Sequence, residues 1–178
     1  RQAALVYLAR LGAPTARARV ALERVLELGW SHGHGADVEW EVDTPAVERM
    51  HVLAPTTRLI PKLVDPAERL GVLRRERDRM LEQETDFFVL KELLGSCALA
   101  AGDLDGDADA LKLVTELVDT LVARHRKAVA EEAEGEETSA SPLELVEALG
   151  ACATAASTIA TAGAPQLIAR IDAYALAQ

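Results

Sequence analysis

Asp65-Pro66-Ala67-Glu68-Arg69-Leu70 opens the stretch on which the fold of this chain turns. It is a strong helix start. The aspartate can accept a first-turn N–H, the proline suits the first helical position, and the glutamate can close a capping box. Helical spacing follows. Leu73, Met80, Phe87, Leu94 and Ala101 recur every seven residues, and Leu70, Leu81, Phe88 and Leu90 widen the stripe. Up to Asp86 the rest of the surface is charged, as in Arg74-Arg75-Glu76-Arg77-Asp78-Arg79; from Phe87 to Ala101 it is apolar almost all round. The spacing predicts one helix over 65–101, half-solvated at first and then buried, with Phe87 and Leu94 in the core. Gly102 is expected to end it in the left-handed conformation. The chain turns through Asp103 to Asp109. A second stripe of Ala110, Leu111, Val114, Leu117, Val118, Leu121, Val122, His125 and Val129 predicts a helix over about 107–132. So short a turn makes the two helices antiparallel neighbours.

Before this hairpin, Arg1 to Leu11 reads as a helix broken by Gly12-Ala13-Pro14. Thr15 then caps a helix to Leu28, striped by Val20, Leu22, Val25 and Leu26. A DNA-reading helix-turn-helix shares this outline, but the net charge and the lack of a basic wing argue against it. Val38, Trp40 and Val42 alternate with acids, which allows a short strand near 37–42. Thr44-Pro45 starts a helix to about Leu53, and Pro55 and Pro61 bracket a connector. After the hairpin, the acidic run Glu131 to Glu137 opposes the helix dipole, so 131–140 reads as a linker. Ser141-Pro142-Leu143-Glu144 starts a helix striped by Leu145, Leu149, Cys152, Ala156 and Ile159. Gly163-Ala164-Pro165 turns into a last helix with Leu167, Ile168, Ile171, Tyr174 and Ala175 inward.

These elements predict an all-α fold of about six helices in antiparallel hairpins, as a bundle or a short helical-repeat arrangement. One domain over 1–178 is expected, with segments 1–60, 61–134 and 141–178. Part of the chain is repeated. Glu92-Leu93-Leu94-Gly95-Ser96-Cys97-Ala98-Leu99-Ala100-Ala101 matches Glu147-Ala148-Leu149-Gly150-Ala151-Cys152-Ala153-Thr154-Ala155-Ala156 at seven of ten positions. The offset between the copies, from Glu92 to Glu147, fits no standard solenoid period. A helical hairpin used more than once, with small residues admitting close backbone approach, accounts for it.

The apolar fraction is 49%, mostly Ala, Leu and Val, and aromatics are 3%, which leaves few stacking platforms for bases or sugars. The net charge of −10 is uneven. Residues 1–102 hold 14 basic and 15 acidic groups, and 103–178 hold 5 and 14. An acidic C-terminal half disfavours nucleic acid and anionic membrane as partners. Arg1, Arg10, Arg17, Arg19 and Arg24 make a local basic patch that reads as a solvated helix face. Cys97 and Cys152 sit among small apolar residues and are expected to be buried free thiols. No signal peptide or long apolar span is visible, so the cytoplasm is the expected location. A start at Arg1 rather than methionine leads us to expect further sequence before it.

Candidate chemistry is sparse. His32, His34 and His51 fall close together in the sequence, and Glu48 stands three before His51 on one helix face. The four can ligate zinc or iron. A di-metal bundle needs two Glu-x-x-His pairs, and one is present. Asp103, Asp105, Asp107 and Asp109 imitate the start of a calcium loop. Ala108 and Val114 occupy the positions where that loop needs glycine and glutamate, so the aspartates read as helix caps. His125 reads as an edge-of-core histidine. Phosphate loops, nucleophile elbows and Cys-x-x-Cys pairs are missing, so neither catalytic residues nor a cofactor can be assigned. The expected function is a helical protein–protein interaction or scaffold module without catalysis, homodimeric or with another protein partner. The alternative is a small-molecule-binding bundle or metalloenzyme with its site at His32, His34, Glu48 and His51.

Overall fold

The computed structural model describes residues 15–31, 44–84, 87–104, 107–135, 142–159 and 161–177, apart from the side chains of 44–46, 87 and 142–145. Eight helices occur among the described residues: α1 (Ala16–Ser31), α2 (Thr44–Thr57), α3 (Ile60–Leu63), α4 (Arg69–Gln83), α5 (Phe87–Gly102), α6 (Ala108–Ala133), α7 (Pro142–Ile159) and α8 (Ala164–Ala175). The all-α expectation holds, while the count exceeds about six. No strand occurs among the described residues. The stretch 37–42, the expected helix over 1–11 and residues 136–140 of the expected linker lie outside them.

Two caps act where the sequence placed them, and a third does not. Thr15 Oγ1 accepts from the Ala18 N–H at 3.1 Å. Asp107 accepts from the Asp109 N–H at 2.8 Å and starts α6 as a cap. Asp65 accepts from the Ala67 N–H at 3.0 Å, but this closes a turn, and α4 begins at Arg69.

The largest correction concerns the predicted helix over 65–101. It is two helices, and the chain reverses between them. Cys97 Sγ lies 3.8 Å from the Leu73 carbonyl oxygen. In one straight helix those residues would stand about 36 Å apart at 1.5 Å per residue. The break falls at Glu84, whose backbone is extended and whose carboxylate is buried against Arg49. A second correction is that α2 runs through Pro55 to Thr57. A third is that Gly102 stays helical: among the described residues only Gly135, after α6, has a left-handed backbone, at φ 79°. Ala155 of α7 lies against Gly102, so the glycine serves close approach.

Cross-helix pairs set the layout. Arg19 meets Glu68, and Trp30 and Glu27 meet Glu76 and Arg79, so α1 runs alongside α4 in the same sense. Arg74 meets Asp109 and Arg77 meets Glu116, which aligns α4 with α6. Asp119 meets Arg170 and His125 meets Tyr174, which aligns α6 with α8. These four helices form one layer. The second layer holds α2, α5 and α7, with α5 in contact with both of the others. Lys91 meets Glu147, Gly95 meets Ala151 and Gly102 meets Ala155, so α5 and α7 also run in one sense. Hairpins α1/α2, α4/α5 and α6/α7 thus stack side by side, with α8 after the last.

α5 is apolar nearly all round because α2, α4, α6 and α7 pack against it. Leu90, Leu93, Leu94, Cys97, Ala98, Ala100 and Ala101 are all fully buried. Each such leucine contributes roughly 1.5–3 kcal/mol of burial. The two copies of the sequence repeat lie on α5 and α7 and pack against each other. Three residues expected in apolar stripes are exposed instead: Val20, Phe88 and Val129. Ala175, expected inward, is exposed as well. Leu94 is buried as expected, whereas the Phe87 side chain lies outside the described ones.

Candidate functional site

The histidine cluster divides. His32 and His34 lie outside the described residues. Glu48 and His51 are exposed one turn apart on α2, either side of Arg49, which points inward. The end of α1 rests on the same part of α2: a Cβ on Gly29 would lie 3.1 Å from Val52 and within contact of Leu53. Among the described residues no three histidine, cysteine, aspartate or glutamate side chains gather as a metal site.

The thiols are unreactive by environment. Cys97 and Cys152 are free and fully buried, and burial pushes both up to about 12. For Cys97, nearby Arg77 pulls the other way without overcoming burial. A thiol protonated this firmly is no nucleophile at neutral pH. His125 is buried on α6, with Nδ1 2.6 Å from Tyr174 Oη on α8 and the rings edge to face. Burial lowers its pKa, opposed by the Glu132 carboxylate. Glu76 accepts from Trp30 Nε1 at 3.1 Å, and burial raises its pKa against that hydrogen bond and Arg79. Both groups hold helices together within the first layer.

A groove opens on the second layer. It has a volume of about 230 Å³, runs between α5 and α7, and is also lined by Arg58, just past α2. Gly95, Ala148 and Ala151 give it a floor without bulk. Charge of both signs lines it: Arg58 and Lys91 against Glu92 and Glu147. Lys91 is 6% exposed, donates to Glu147 Oε2 at 3.0 Å, and lies 4.9 Å from the Phe88 ring centre. Ser96 also lines the groove at 8% exposure. Sequence reasoning missed this site. Its signal was Lys91-Glu92, the lone charged pair in the apolar stretch 87–101.

No family model matches the chain, and no curated protein or solved structure matches it. No helix among the described residues is long and apolar enough to cross a membrane.

Proposed function

We propose that this chain is a non-catalytic helical interaction module whose first partner is a second copy of itself. Support comes from two equivalent glycines of the repeat. Gly95 on α5 is buried, and Ala151 of α7 lies over it, 3.4 Å from where a Cβ would stand. Gly150, its counterpart in the second copy, is exposed on α7, and no described atom lies within 4 Å of that place. The surface that receives a copy of the motif inside the chain therefore recurs on the outer side of α7. A stack of helical hairpins extends by placing another such motif there. Two chains meeting by these faces about a two-fold axis cover both at once. A different protein with a small-residue helix would use the same face. The acidic C-terminal half weighs against nucleic acid and anionic lipid. Two free thiols suit the reducing cytoplasm.

Sedimentation equilibrium tests this reading. The wild-type chain should be a dimer at micromolar concentration, and Gly150→Trp should be a monomer with unchanged helical content. A wild-type chain that stays monomeric into the hundreds of micromolar would end it.

The second reading is a small-molecule or metal site at His32, His34, Glu48 and His51. It is favoured by the exposed Glu48–His51 pair and by the end of α1, one residue before His32, resting on the same part of α2. Zinc, iron or manganese should then raise the melting temperature, and His34→Ala should abolish the gain. No thermal shift with any of the three metals would dismiss it.

A further inference from the structure

We infer that the groove between α5 and α7 is a binding site for a small zwitterion of the α-amino-acid type. Two polar side chains in its wall are more than nine-tenths buried, Lys91 and Ser96. Solvated surface does not need such residues. Ser96 Oγ makes no hydrogen bond among the described residues, although a helical serine can bond back to its own preceding turn. Its hydroxyl is available on the groove wall. The Arg58 guanidinium has no ion pair or hydrogen bond among the described residues, while Arg49, Arg77 and Arg79 each hold a carboxylate.

Size and charge fix the class. At about 230 Å³ the groove is smaller than the roughly 300–1,000 Å³ of sites for drug-sized ligands. A simple anion would face Glu92 and Glu147; a simple cation would face Arg58 and Lys91. A ligand carrying both charges satisfies both sets. Its carboxylate is taken by Arg58, whose planar fork suits that group, with Ser96 donating beside it. Its ammonium is taken by Glu147 and Glu92. Lys91 is a positioning residue: it holds the mostly exposed Glu147 carboxylate at the rim. The Gly95 and Ala151 floor leaves room for the ligand's carbon skeleton.

The test uses the full chain and the twenty L-amino acids, screened by saturation-transfer NMR at millimolar concentration, with each hit titrated by calorimetry. At least one should bind. Its N-acetyl derivative lacks the ammonium and its amide lacks the carboxylate, so each should bind about tenfold or more weakly, as expected when a charged hydrogen-bonding group is lost. Arg58→Ala, at an exposed position, should weaken binding similarly, and Ser96→Ala should do so to a lesser degree. Three results would each overturn the site: no amino acid binds, both blocked derivatives bind as well as the parent, or Arg58→Ala leaves affinity unchanged. The blocked ligands need no variant to fold. Dimerisation through Gly150 is read separately by sedimentation, so either proposal can fail alone.

Discussion

Replacing Gly102 by alanine puts a methyl group where the α5–α7 crossing leaves no room. A Cβ there would stand 2.9 Å from Ala155 Cα, 3.2 Å from its Cβ and 3.3 Å from its carbonyl oxygen. Carbon atoms pack best at about 3.5–4.0 Å, so the α7 backbone must retreat by roughly half an ångström or more. Backbone cannot rotate aside as a long side chain can. Overpacking of this kind costs about 1–3 kcal/mol. Alanine returns about 0.5–1 kcal/mol through lower chain entropy in the unfolded state. The expected net loss is up to about 2.5 kcal/mol. Gly71→Ala is the control. Gly71 lies within α4, exposed, with no described atom within 4 Å of a new Cβ, so the same chemical change should stabilise by about 0.5–1 kcal/mol. Urea unfolding followed by far-UV circular dichroism reads both. Opposite shifts of the midpoint are expected. If Gly102→Ala raises the midpoint as Gly71→Ala does, the close crossing of α5 and α7 is wrong.

Four further outcomes follow from buried or half-buried groups. Glu84→Gln leaves the buried Arg49 guanidinium without its carboxylate, so urea unfolding should show a loss of about 3–5 kcal/mol. His125 has a folded pKa below its ordinary 6.5, so the folded state binds fewer protons than the unfolded one; stability should be full above pH 6.5 and fall as pH drops from there toward the lowered value. Thermal melts of His125→Gln should lack this decline, and a wild-type melting temperature that does not fall in that window would contradict the burial of His125. Glu76 has the opposite sign: its raised pKa makes it contribute a loss of stability as pH rises from 4.5 through the raised value, and Glu76→Gln should remove that slope while changing the fluorescence of Trp30. Cys97 and Cys152 should resist a thiol reagent in the native state and react fully in urea, whereas fast native labelling would place them at the surface.

Much of the first layer was legible because its helices are amphipathic. The stripe from Ala110 to His125 is buried on α6 with one face exposed, as its spacing required. Thr15 and Asp107 act as caps because short oxygen-bearing side chains beside a helix start have little else to bond. The failure at 65–101 is instructive. The seven-residue spacing of Leu73, Met80, Phe87 and Leu94 runs through the break unchanged, so periodicity alone could not reveal it. The change from charged to apolar surface at Asp86 carried the information: a helix that becomes apolar all round has entered the middle of a packed structure, and a straight continuation rarely does that. Thr85-Asp86 before Phe87 also has the composition of a helix cap. Gly102 was assigned the wrong task for a related reason. A glycine at a helix end looks the same in sequence whether it bends the backbone or admits a neighbour, and Ala155 lies two helices further along the chain.

The groove was less legible than the fold because its residues meet only after the hairpins stack. Arg58, Lys91 and Glu147 belong to three segments whose proximity depends on α2, α5 and α7 sharing a layer. The repeat held a partial clue. Glu92 and Glu147 occupy equivalent positions in its two copies, yet their surroundings differ, since Lys91 on α5 has Val146 as its counterpart on α7. The duplicated core explains how the helices fit: small residues at matching positions let two copies of one motif lie together. The unmatched lysine lies outside that pattern: valine stands at the equivalent place on α7, where no charge is buried. Lys91 thus differs from its counterpart at the point where the groove forms, and the groove begins where the two like segments cease to be alike.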